Sequence, residues 1–244
     1  MRGVALIVGF AVAGLSSTGC ESTQDKAAKL SEGSTEAFTQ AGLQVAQENP
    51  DVKVTGTWAL QDANGTAVGV RLKNTSQRRL AEVPIAIDVV DRAGKSLFRN
   101  DAPGLEPSLV GVALLRPGEE LTWVNDQVVA AAEPADVEVK VGKEKRVLER
   151  EEPRVTLQQI EQVKDPSGTT VTGFVSNKSD IEQREIVIYA EARKSGDVVA
   201  LGKAQVERVK PGKRTRFSVF FIGDPTGARV DLAVPATVTE EETK

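Results

Sequence analysis

Apolar and polar residues alternate with a period of two along most of this chain. Ile85, Ile87 and Val89 alternate with Ala86 and Asp88, and Ile186 and Ile188 alternate with Val187 and Tyr189. That spacing predicts strands with one buried face, because successive side chains of a strand point to opposite sides of its sheet. Val prevails over Leu in most apolar runs, which favours strands further. Asn64-Gly65 and Ser167-Gly168 are dipeptides of the kind that close hairpins. The pattern predicts an all-β chain.

Two stretches of this pattern match. "DANGTAVGVRLKNTS" (62–76) and "DPSGTTVTGFVSNKS" (165–179) align at a constant offset of 103. Each leads to an alternating strand, "VPIAIDVVDRAG" (83–94) and "EIVIYAEARKSG" (185–196), and later to a Pro-Gly turn and an aromatic strand, "RPGEELTWVN" (116–125) and "KPGKRTRFSV" (210–219). Trp123 and Phe217 thereby become equivalent. A shared order of turns and strands predicts a duplication, here two tandem immunoglobulin-like antiparallel β-sandwiches over 51–141 and 152–238. With one cysteine in the chain there is no intrachain disulfide, so burial between its own sheets is expected to hold each unit. The segment 141–154, with nine charged residues, reads as a linker or a charged edge strand. Residues 239–244 read as a disordered tail.

The stretches "GFVSNKSDIEQREIVIYAEARKSG" and, more loosely, "GVRLKNTSQRRLAEVPIAIDVVDRAG" resemble FxLYD-type domains, immunoglobulin-like modules common in bacterial envelope lipoproteins. The resemblance implies a fold and an envelope location; it implies no catalytic residue, because that family has none in common.

At the N-terminus, Met1-Arg2 precedes a run without charge from Val4 to Leu15. The run falls short of the roughly 20 apolar residues a membrane-spanning helix needs, and with the positive start it describes a signal peptide over 1–19. "LSSTGC" (15–20) follows and resembles a lipobox: Gly19 is the small residue before Cys20, and Ser17 stands where that family carries Leu. The resemblance implies a lipid attached at Cys20, with membrane attachment through more than one acyl chain. Residues 20–50, polar and rich in Ala, Gln and Glu, read as a short helical or flexible stalk.

Composition narrows the functions. The chain has no histidine, which removes imidazole catalysis and His zinc sites. Its 31 basic and 35 acidic residues are well mixed and leave a net charge of −4, not the basic face nucleic acid requires. No cofactor or metal is expected, since Asx turns account for Asp62, Asn64 and Asp224. The reading is a lipid-anchored extracytoplasmic protein without catalytic activity, acting through an envelope protein partner. The alternative is a receptor for a small molecule or polysaccharide.

Two surfaces are candidates for contact. An insertion present only in the first unit, "LFRNDAPGLEPSLVGVALLRPG" (97–118), carries Leu105, Leu109, Val110 and Val112 as possible partner contacts; an edge strand folded on the core is the favoured reading. Arg208, Lys210, Lys213, Arg214 and Arg216 surround Pro211-Gly212 and form a possible anionic-surface contact, against the favoured reading of an ordinary solvent face. Asn74-Thr75-Ser76 and Asn177-Lys178-Ser179 match glycosylation sequons but read as turns. Trp58 and Trp123 read as core.

Overall fold

The computed structural model describes residues 42–149, 151–165 and 168–237. The signal peptide, Cys20, stalk residues 20–41 and the tail lie outside the described residues. Residues from Gln40 onward form one compact unit.

The chain is nearly all β, with antiparallel sheets. The first half holds β1 (Val52–Asp62), β2 (Gly65–Asn74), β3 (Arg79–Val90), β4 (Ser96–Arg99), a single-turn helix α1 (Pro107–Val110), β5 (Gly111–Leu115), β6 (Glu120–Val128) and β7 (Asp136–Val141). After β8 (Arg146–Leu148), the second half repeats the plan with β9 (Val155–Asp165), β10 (Gly168–Asn177), β11 (Gln183–Lys194), β12 (Asp197–Val209), β13 (Arg214–Gly223) and β14 (Arg229–Ala233). The bounds of β1 and β2 map onto β9 and β10 at the offset of 103 read from the sequence. Val70 pairs with Trp123 and Gly173 with Phe217, so the two aromatic residues occupy equivalent places.

The turn chemistry is repeated too. Arg116–Glu119 and Lys210–Lys213 close with bonds of 3.1 and 3.0 Å from the fourth amide to the first carbonyl. Pro at the second place and Gly118 and Gly212 at φ 69° and 67° make these type II turns. At the first hairpin Asp62 pairs with Gly65, so the loop is Ala63-Asn64 and Gly65 opens the returning strand.

In the first sandwich β1, β2 and β6 form one sheet, and β3 carries the other: β5 and β8 flank its first half, β4 and β7 its second. In the second, β13 serves both layers, pairing β10 along 214–219 and β12 along 220–223. The charged segment after β7 is an edge strand where it forms β8; Lys145 and Arg146 reach Glu82 at 3.2 and 2.7 Å.

The insertion splits in two what is one continuous strand, β12, in the second half. β5 pairs residues 80–84 of β3 and β4 pairs 88–90, leaving 85–87 between them. Buried Asn100 fills that gap: its Oδ1 accepts from the Ile87 amide and its Nδ2 donates to the carbonyls of Ile85 and Leu109, all at 2.8 Å. Leu109 and Val112 are buried in the core and are not available as partner contacts, while Leu105 and Val110 are half-buried.

Two further expectations change. Residues 42–50, assigned to the stalk, lie on the first sandwich. The Asn49 amide donates to Val141 O at 2.9 Å, its Nδ2 donates to Glu144 at 2.8 Å, and Glu48 bridges to Gly142. Nor does each sandwich stand on its own core. Val187, Tyr189, Leu201 and Ile222 of the second half belong to the same buried cluster as Val68, Val70, Ile85 and Trp123 of the first.

Candidate functional site

That shared cluster forms where the sheet β1-β2-β6 packs on β11, β12 and the end of β13. Strand β2 explains how. Val68, Val70 and Leu72 point into the first sandwich, so Ala67, Gly69 and Arg71 point the other way. The second half comes close at Gly69: a Cβ there would lie 2.9 Å from a methyl of Leu201. Facing them, β11 is buried on both sides: Ile186, Ile188 and Ala190 belong to the second core, Val187, Tyr189 and Glu191 to the interface. The expectation of one buried face fails here because the first sandwich covers the other. The unbroken apolar run from Ile186 to Ala190 was the available signal.

The interface opens into a cleft of about 300 Å³ lined by Arg71, Thr122, Tyr189, Glu191, Arg193 and Asp231, among others. Glu191 is its centre, with a side chain only 4 % exposed. Arg71 Nη2 stands 2.7 Å from both of its carboxylate oxygens. The Thr122 hydroxyl and Arg193 Nε also donate to it. Arg71 stands over Trp58, its guanidinium carbon 4.4 Å from the ring centroid. Trp58 is therefore half-buried under an arginine, whereas Trp123 is fully buried and donates to Ser108 O at 3.0 Å.

Nearby is a second polar cluster that the sequence did not reveal. Lys203, with 5 % of its side chain exposed, has its Nζ 3.3 Å from Asp126 and 3.5 Å from the Ser108 hydroxyl. Here Lys203 is ion-paired with Asp126, and Ser108 is itself buried. The pair ties the insertion to the second sandwich. Burial pushes the Tyr189 phenol up, helped by the Asp126 carboxylate, so it stays neutral.

The remaining candidates divide clearly. Arg208, Lys210, Lys213, Arg214 and Arg216 are exposed and alternate with the buried Val209, Phe217 and Val219. Asp62 and Asp224 are engaged as Asx-turn acceptors, taking the amides of Asn64 at 2.7 Å and Thr226 at 2.9 Å. Asp62 also accepts from the Gly223 amide at 2.9 Å. Among the described residues no three His, Cys, Asp or Glu side chains gather into a metal site. No helix of the described residues is long and apolar enough to cross a membrane.

No protein-family model matches this chain, and no curated protein matches it. Among solved structures it is similar, at 12 % identity, to two of an exo-chitosanase from Amycolatopsis orientalis, one a complex with PNP-beta-D-glucosamine. The TM-scores are 0.28 and 0.26, and the match covers 74 % of this chain. It covers 25 % of the enzyme's chain, so this protein spans about a quarter of that length. So distant a likeness has no bearing on activity.

Proposed function

We propose that this protein is a lipid-anchored component of a bacterial cell envelope, without catalytic activity, that works by presenting a rigid pair of immunoglobulin-like sandwiches to a protein partner. The observation that carries the reading is the state of the cleft. The charged groups at its centre, Glu191, Arg71 and Arg193, are bonded to one another across the two halves, an arrangement that fixes geometry rather than offering Glu191 to a substrate. The lipobox-like "LSSTGC" and the resemblance to envelope lipoprotein modules supply the anchor and the place.

The test is intact mass and membrane fractionation of the chain expressed in a bacterial host, beside Cys20→Ala. The proposal expects acyl mass on Cys20 and membrane retention through a high-salt wash that strips charge-bound protein, both lost in the variant. A wild-type chain with no lipid mass, held in the membrane by an uncleaved N-terminal segment, would overturn it.

A further inference from the structure

Among the described residues, three arginines lack a carboxylate within 4.0 Å: Arg208, Arg214 and Arg216. They fall in one nine-residue stretch, together with Lys210 and Lys213, which also have no acidic partner. Elsewhere in the molecule even an arginine as exposed as Arg92 has one.

The fold concentrates these charges. The Asn177 amide donates to Lys213 O at 3.0 Å and the Gly212 amide to Asn177 O at 3.1 Å, so the loop after β10 lies against the Pro211-Gly212 turn and adds the exposed Lys178. The Lys178 amide donates to Arg154 O at 2.8 Å, bringing the start of β9 to the same end. With the ion-paired residues Arg154–Glu151 and Arg184–Glu182 counted as neutral, six cations stand there against three carboxylates, Asp180, Glu185 and Glu207. Arg214 gives one N–H to Gln159 Oε1 at 3.1 Å and lies over the Phe174 ring, 4.5 Å from its centroid, while Arg208 and Arg216 keep planar sets of donors in the geometry that fits a phosphate.

We propose that this end of the second sandwich docks on the anionic phospholipid headgroups of the membrane that anchors the chain. The choice of occupant rests on the anchor reading. The 22 residues 20–41 span at most roughly 75 Å when extended, which confines these cations to the neighbourhood of that surface. Each cation near an anionic bilayer adds roughly fivefold to binding.

The experiment uses the full chain carrying Cys20→Ala, so that no acyl chain contributes, in co-sedimentation with two kinds of vesicle: phosphatidylglycerol mixed with phosphatidylcholine, and phosphatidylcholine alone. The expected result is stronger binding to the anionic vesicles, weakened by salt, with a drop of about tenfold or more on combining Arg208→Gln, Lys210→Gln, Lys213→Gln, Arg214→Gln and Arg216→Gln. Circular dichroism checks that this variant is folded. Lys210→Gln with Lys213→Gln, confined to the exposed turn, is expected to give a smaller drop in the same direction, while Lys53→Gln with Lys73→Gln on the first sandwich gives none. Equal binding by parent and turn variant overturns the proposal. So does binding to a soluble polyphosphate without binding to the anionic vesicles. Because acylation is absent throughout, failure of the Cys20 reading shows only in the mass experiment above, and failure of this one only in the vesicles.

Discussion

Asn74 and Asn177 show what a single side chain contributes here. Both are fully buried, and each stands where β2 or β10 ends. Asn177 Nδ2 donates to Ile181 O at 2.7 Å and Val209 O at 3.0 Å, while its Oδ1 accepts from the Ser179 amide and hydroxyl at 2.9 and 2.6 Å. Asn74 does the same with Arg78, Leu115, Arg116 and Ser76. The serine two places on is thus an internal partner, and the sequon is a loop-closing device. Asn177→Ala leaves several buried groups unsatisfied and should cost about 3 kcal/mol, read as a fall in the urea midpoint. The acidic residues carry a second prediction. Burial raises the Glu82 and Glu152 carboxyls, but their partners outweigh it: Lys145 and Arg146 for Glu82; a backbone amide, Arg116 and Arg79 for Glu152. Both pKa values therefore lie below the ordinary 4.5 in the folded state. Their stabilisation is present above 4.5 and is lost as pH falls through the lowered folded values. Thermal melts should show Tm falling on acidification below about pH 4.5, and less so in Glu82→Gln with Glu152→Gln.

At the scale of elements, the duplicated plan tolerates one large change. The insertion breaks the strand equivalent to β12, and Asn100, Trp123 and Asn125 hold the resulting segment by its carbonyls at Leu109 and Ser108. Polar side chains here do what backbone pairing does in the second half. The other decisive element is β2, whose outward face sets how closely the halves approach. Gly69→Val would drive two methyls into Leu201 and Thr122. Overpacking of that kind should destabilise by about 2 kcal/mol, and fluorescence of Trp58 should report the loosened interface through its altered exposure.

The two sandwiches of the described residues are built as one body. The two halves share a buried cluster, an ion network at Glu191, and a connector whose Glu152 is gripped by Arg79 and Arg116 at 2.6 and 2.8 Å. Denaturant unfolding followed by circular dichroism and by tryptophan fluorescence should give one coincident transition, since both tryptophans lie in the first half. Two separated transitions would mean that the halves fold independently and that the shared core adds little. The same contacts join the basic end of the second sandwich to the first.

The sequence by itself determined the strands, their turns and the duplication, because these depend on local rules. Period-two burial, Pro-Gly at the turns and the offset of 103 are written in neighbouring residues. It also placed Trp123 and Phe217 opposite equivalent partners. Only the tertiary structure decided which faces meet. Arg71 and Glu191 lie 120 positions apart, and nothing local distinguishes them from exposed charges. Glu191 even sits in an alternating position that reads as solvent-facing. Its burial follows from the second face of β11 being covered, and that covering depends on a glycine, Gly69, in another module. The same limit applies to the basic end: its residues are legible, but that Arg208, Arg214 and Arg216 alone among the described arginines lack a carboxylate partner emerges only when every other chain segment has taken its place.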